Sequence, residues 1–266
     1  MNAAIQRLLY MPPKCTYNPN SFGSCSYYEI DEHIPVMYIK SLYSAQYTIV
    51  YSHANAEDIS QLRHFLRCMS HQVYCDVVSY DYPGYGRNTE PLSEQAVKKT
   101  GVRVVEYLVN SLRIEPERIV LFGHSLGSAV SLYTAVYLAE QSNIRVGGVI
   151  LQSCFTSIYR VVSNFRTTST HDMFPSCDII GRICCPVCMI HGKHDVIVPI
   201  WHAKWMFMKT PEKYRYKCLF VEGAGHNNIE SWCHPEAAYY RFIREFLEYL
   251  TKFKLKSELL QESGVL

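Results

Sequence analysis

A mostly parallel, doubly wound α/β sheet is the fold class that three features of the sequence predict. Short apolar runs rich in β-branched residues alternate along the chain with stretches whose apolar residues recur at helical spacing. One such run, RIVLF at 118–122, passes through Gly123-His124-Ser125-Leu126-Gly127 directly into a helical pattern. The 266 residues suit one large domain, and residues 1–266 are read as a single one.

In chain order, residues 1–26 read as irregular, with Pro12, Pro13 and Pro19. Residues 25–30 and 36–41 read as short antiparallel strands joined around Asp31-Glu32-His33. YTIVYSH at 47–53 is the next strand, followed by Ala54-Asn55-Ala56-Glu57-Asp58 and a helix over 59–70. Residues 73–81 form a strand, Pro83-Gly84-Tyr85-Gly86 a turn, and 93–112 a helix opened by Ser93-Glu94. After the strand–turn–helix unit at 118–139 come strands at 146–154, 185–191 and 217–222. A final helix from about residue 235 carries Tyr239, Phe242, Ile243, Phe246, Leu247 and Leu250 on one face. Residues 155–183 hold no clear strand; a stretch this long is expected to be a short cap, helical near 157–164. Its apolar residues Phe155, Ile158, Tyr159 and Phe174 are the candidate substrate-binding surface. Residues 119–139 lack formal charge and are long enough for a membrane span, but the glycines, His124 and serines fit a strand–turn–helix instead.

Composition excludes several classes. A net charge of +2 with scattered basic residues gives no nucleic-acid footprint. The 11 cysteines, the absence of a glycosylation acceptor and an N-terminal stretch without the apolar region of a secretion signal point to a reducing, cytoplasmic compartment. Cys185-x-x-Cys188-x-x-His191-x-x-His194 has the spacing of metal ligands. Residues 186–190 read as a strand, however, so Cys185 and Cys188 face opposite sides. No metal and no cofactor is expected.

The chemistry centres on Ser125. A strand entering a helix through Gly-x-Ser-x-Gly brings two backbones close together, holds the serine in a strained conformation and pushes its hydroxyl off the sheet edge. A serine hydroxyl needs a general base, and the base needs an orienting carboxylate. His191-Gly192-Lys193-His194-Asp195 and Gly223-Ala224-Gly225-His226-Asn227 each follow a strand, so Asp195 and His226 share the sheet edge of Ser125. Asp172 and Asp178 fall in the cap and are poorer candidates; His191, His194 and His202 are expected to be structural. The oxyanion donors are expected to be the backbone N–H of Leu126 and, from the turn after 47–53, that of Asn55, with Ala54 as the alternative.

These motifs carry a resemblance. His53-Ala54-Asn55-Ala56, Ser79-Tyr80-Asp81-Tyr82-Pro83-Gly84-Tyr85-Gly86, Gly123-His124-Ser125-Leu126-Gly127, Asp172-Met173-Phe174-Pro175, His191-Gly192-x-x-Asp195 and Val221-Glu222-Gly223-Ala224-Gly225-His226-Asn227 occur in the order and spacing of one family. The chain resembles the α/β-hydrolase domain-containing protein 17 group, serine hydrolases that remove palmitoyl thioesters from protein cysteines. The resemblance implies the α/β-hydrolase fold and a triad of Ser125, Asp195 and His226. It implies an acylated protein or lipid ester as substrate. Ala54 stands where the family usually has glycine, and His124 where relatives often carry glutamine. The family's N-terminal cysteine cluster has no counterpart, Cys15 and Cys25 being isolated. A general carboxylesterase or lipase, a serine peptidase, and a non-catalytic receptor or scaffold are the competing expectations. Peripheral membrane contact through Ile5, Leu8, Leu9 and Met11 or through Lys252-Phe253-Lys254-Leu255-Lys256 competes with packing of both segments on the domain, which is favoured.

Overall fold

The structure, a computed structural model, describes residues 10–163, 172–233 and 237–262. Eight strands form one sheet in the order β1-β2-β4-β3-β5-β6-β7-β8. They are β1 Ser26–Ile30, β2 Ile34–Ile39, β3 Thr48–Ser52, β4 Asp76–Tyr80, β5 Ile119–His124, β6 Gly148–Gln152, β7 Val187–Gly192 and β8 Arg215–Val221. β1 and β2, and β2 and β4, pair antiparallel; every other neighbour pair is parallel.

The strand period of two sorts the core into two layers. Val50, Leu121, Val149, Leu151 and Met189 face one side, with Val104 and Leu108 of α2 (Glu94–Asn110) and Val130 and Leu138 of α3 (Leu126–Gln141). Ile49, Val120, Phe122, Ile150 and Ile190 face the other, with Leu66 and Met69 of α1 (Arg63–Val73) and Ile243 and Phe246 of α8 (Ala237–Glu262). The other α-helices among the described residues are α4 Ile158–Ser163, α5 Ser176–Ile179, α6 Trp201–Lys209 and α7 Ile229–Trp232.

Two local details differ from the sequence reading. The helix after β3 begins at Arg63 rather than 59, because the Ile59 N–H goes to Asp81 Oδ1 (3.0 Å) and Asp58 Oδ1 takes the N–H groups of Ser60 and Gln61. Helix α6 is absent from the sequence reading, since Trp201, His202, Ala203 and Trp205 do not divide into an apolar and a polar face. Within 155–183, α4 matches the expected helix and α5 follows it, while residues 164–171, including Phe165, lie outside the described residues, as do Ile5, Leu8 and Leu9. Among the described residues no helix is long and apolar enough to cross a membrane.

All parallel strands point the same way, so the segments leaving β3, β5, β6, β7 and β8 gather along one edge of the sheet. The site lies there.

Candidate active site

Ser125 sits between β5 and α3 with φ 51° and ψ −113°, in a region that L-residues rarely adopt. Two glycines permit it. A methyl on Gly123 would lie 2.2 Å from Gly127 O, and one on Gly127 would lie 1.9 Å from Ser52 O. The strained serine is held by its own N–H on Gln152 O (2.9 Å) and by Ser128, whose N–H and hydroxyl both donate to Ser125 O.

The loops after β7 and β8 are stitched together. His194 N–H donates to Ala224 O and Lys193 N–H to Val221 O, each at 2.9 Å. Gly192 is required at this crossing, because a Cβ there would meet Ala224 O at 2.4 Å. The result is a hydrogen-bond series across three loops. Asp195 Oδ2 lies 2.7 Å from His226 Nδ1, and His226 Nε2 lies 2.9 Å from Ser125 Oγ. Asp195 Oδ1 accepts the N–H groups of Ile197 (2.9 Å) and Val198 (2.7 Å), which fixes the carboxylate plane. Burial pushes the Asp195 carboxyl upward, but the hydrogen bond and charge of His226 and the Val198 N–H outweigh it, and the group sits below its ordinary value. An ionised carboxylate accepts only, so His226 donates from Nδ1 and its Nε2 is the acceptor for the Ser125 hydroxyl.

The His226 backbone is also gripped. Both His124 Nε2 and Ser153 Oγ lie 3.2 Å from His226 O. His191 and His202 serve as supports: His191 Nε2 donates to Val198 O (2.8 Å), and His202 Nδ1 pairs with Thr156 Oγ1 (2.9 Å). His194 is exposed. Cys185 and Cys188 are buried, and burial raises both thiols. Among the described residues no group of three or more His, Cys, Asp or Glu side chains is arranged to hold a metal ion.

The first helical N–H after the serine, that of Leu126, has no acceptor a turn earlier in its own helix. The turn after β3 runs His53-Ala54-Asn55-Ala56-Glu57. The N–H of Ala54 is taken by Glu57 Oε2 (2.9 Å), which removes Ala54 as an oxyanion donor. The positive φ of the turn falls at Ala56 (63°), not at Ala54, so alanine in place of glycine at 54 is accommodated. Asn55 Oδ1 accepts the Tyr85 hydroxyl (2.5 Å) and the Met11 N–H (3.0 Å). His53 is fully buried against the Tyr82 ring, at a centroid distance of 4.1 Å, and Tyr82 Oη donates to His53 O (2.7 Å). His53 Nε2 lies 3.6 Å from Asp81 Oδ1, and Asp81 also accepts the Tyr17 hydroxyl. Burial raises the Asp81 carboxyl to about 7 and lowers the His53 imidazole, so desolvation favours the neutral form of each.

The four candidate cap residues do not share one environment. Phe155 and Phe174 are each 2% exposed and join Leu126 in one apolar cluster; Ile158 is half-buried and Tyr159 is 39% exposed. Sequence reasoning missed Glu57, His124, Ser153 and the Met11 and Tyr85 contacts. His124 and Ser153 carried a signal, as polar residues at strand ends on that edge.

The α/β hydrolase family model matches residues 59–176. The chain is 31% identical over 220 residues to mouse α/β hydrolase domain-containing protein 17C, an alignment covering 82% of this chain and 65% of that protein. The chain therefore spans under two thirds of that relative's length. An esterase of Pyrococcus furiosus superposes with a TM-score of 0.67 at 14% identity, covering 91% of this chain and 98% of the esterase. A monoacylglycerol lipase of Paleococcus ferrophilus gives 0.60 at 16%, covering 82% and 99%. Sheet order, a strained serine at the turn after β5, and similarity across four fifths of the chain agree: the chain has the α/β-hydrolase fold and is similar in sequence to the α/β hydrolase domain-containing protein 17 group.

Proposed function

We propose that the chain is a serine hydrolase of acyl esters or thioesters, with S-acylated protein cysteines as its substrate class. The observation that carries this reading is the unbroken series from Asp195 through His226 to Ser125, at 2.7 and 2.9 Å. In this reading Ser125 Oγ attacks the acyl carbon while its proton passes to His226 Nε2. Asp195 holds the imidazole in the required tautomer and stabilises the imidazolium that forms. The negative oxygen of the tetrahedral intermediate is met by the backbone N–H of Leu126 and of Asn55; loss of one such donor typically costs about two to three orders of magnitude in rate. Collapse expels the alcohol or thiol, which leaves with the proton from His226; water then attacks the acyl-enzyme while giving a proton to His226, and Ser125 leaves with that proton as the acid is released.

The thioester part rests on the resemblance to the protein 17 group. The cap supports an acyl chain as the recognised moiety. Phe155 and Phe174 lie in the apolar cluster that also holds Leu126, the residue next to the nucleophile, Ile158 packs against that cluster, and the neighbouring Tyr159 is exposed. The test is labelling by a fluorophosphonate probe, followed by a panel of acyl esters, acyl thioesters and peptides of increasing acyl length. Wild type labels and S125A does not, and long-chain thioesters are turned over faster than peptides. A folded wild-type protein that fails to label would sink the proposal.

A further inference from the structure

We infer that His124 and Ser153 are positioning residues that hold the general base His226 by its backbone carbonyl, and so set the geometry of Ser125 and His226 together. The inference rests on the serine-hydrolase reading above and assigns a role to two residues that touch neither substrate nor reacting atoms.

The His226 carbonyl can only accept, so both contacts are donations to it: from His124 Nε2–H and from the Ser153 hydroxyl, each at 3.2 Å. The donors come from the ends of neighbouring strands, His124 closing β5 and Ser153 following β6. Both are buried, Ser153 completely. Ser153 holds a left-handed φ of 49°. A non-glycine residue keeps such a conformation only where its surroundings over-determine it. Here its N–H is tied to Ile190 O (2.9 Å), and its hydroxyl is thereby turned onto the His226 loop.

That loop needs an anchor. His226 follows Gly225, where an added Cβ would meet nothing closer than 3.6 Å, so the backbone there is held by hydrogen bonds, the Gly225 N–H on Asn228 Oδ1 (2.8 Å) among them, rather than by packing. Two hydrogen bonds on the ring orient the imidazole only if the peptide carrying it is still. Pinning the carbonyl fixes the peptide plane and with it the direction of the Cα–Cβ bond. His124 is also covalently next to Ser125, so any shift of the turn bearing the nucleophile is passed directly to the base.

The identity of residue 124 fits the task. Burial and the nearby His226 lower the His124 imidazole to about 4, so it is neutral near pH 7. Its ring lies 5.5 Å from that of His226. A cation at that distance would oppose the imidazolium that His226 must become; a neutral donor does not.

The experiment compares wild type, H124Q, H124L, S153A and H124L/S153A. It measures kcat and KM on a short-chain ester, fluorophosphonate labelling rate and thermal unfolding. A lost neutral hydrogen bond is worth up to about a tenfold change. H124L and S153A are expected to lower kcat by about tenfold each, and together by about a hundredfold, with KM within about twofold. H124Q keeps an Nε2–H donor and is expected to recover most of the H124L loss. A folded S153A with wild-type kcat overturns the inference, and so does an H124Q as slow as H124L. If H124L does not fold, S153A and H124Q decide the matter between them. Failure of the underlying reading shows elsewhere: wild type would not label, or S125A would label as wild type does.

Discussion

A single methyl group at Gly127 tests how the fold builds the site. Gly127 lies two residues after Ser125, in the first turn of α3, against the end of β3. Its added Cβ would stand 1.9 Å from Ser52 O, 2.5 Å from Ser52 C and 2.8 Å from His53 O. Real Cβ contacts essentially never fall below 3.0 Å, so helix and strand must separate by at least about 1.1 Å. The obstructing atoms are backbone, so no rotamer change relieves them. The displacement opens between the nucleophile and the turn that carries Asn55, which is where catalytic geometry is least tolerant. A misplacement of about 1 Å can cost on the order of a hundredfold in rate, and overpacking of this kind costs about 1–3 kcal/mol or more. G127A is therefore expected to lose about two orders of magnitude in kcat on an acyl ester and to melt on the order of 5 °C lower. G181A is the control, because nothing lies within 4 Å of a Cβ at Gly181. A G127A protein with the melting temperature and kcat of wild type would refute the reasoning.

Three further outcomes follow from the same geometry. D195N keeps the shape of the acid but puts an amide N–H2 or a weaker acceptor against His226 Nδ1; kcat should fall by about three to four orders of magnitude with little change in KM, as read by steady-state kinetics. The Asp81 carboxyl, raised by burial to about 7, holds its proton in the folded state at pH values where the unfolded chain has lost it. Its contribution to stability therefore falls as pH rises from about 4 to about 7, by up to about 1.4 kcal/mol per pH unit. Denaturant unfolding across that window should show a flatter profile for D81N, and equal slopes would overturn the assignment. In the turn after β3, Ala56 carries a φ of 63° whereas Ala54 does not lie in the positive-φ region. A56G should then stabilise by about 0.5–1 kcal/mol and A54G destabilise by a similar amount in thermal melts.

The strands, the elbow and the three residues of the hydrogen-bond series were legible because each is a local signal. The apolar, β-branched run TIVYS marks β3, and Ser125, Asp195 and His226 each follow such a strand. A parallel sheet then carries all three to one edge without further information. What was not legible depends on partners far along the chain. The start of α1 is set by Asp81, which takes the N–H of Ile59 from 22 residues away. In the turn after β3, where the family has glycine at residue 54, the Ala54 N–H is taken by Glu57 and the positive φ falls at Ala56. Phe155 and Phe174 read as cap residues from composition, yet both are buried in the core cluster, because large aromatic side chains gain more from packing than from exposure.

The turn bearing Asn55 contains no glycine, so side-chain contacts must impose its shape, and the structure supplies them residue by residue. Tyr82 Oη holds the carbonyl of His53, Glu57 holds the N–H of Ala54, and Tyr85 Oη with the Met11 N–H holds the side chain of Asn55. Two of these partners belong to the Tyr82-Pro83-Gly84-Tyr85 turn that leaves β4, the strand beside β3. A third belongs to the irregular stretch before β1, which is tied down in turn by Thr16 on Asp58 and Tyr17 on Asp81. Oxyanion stabilisation works only when its donors are fixed before the charge appears. In this chain the segment ahead of the first strand and the turn after the fourth supply that fixity, so two parts of the sequence without a reacting group have a structural stake in the proposed chemistry.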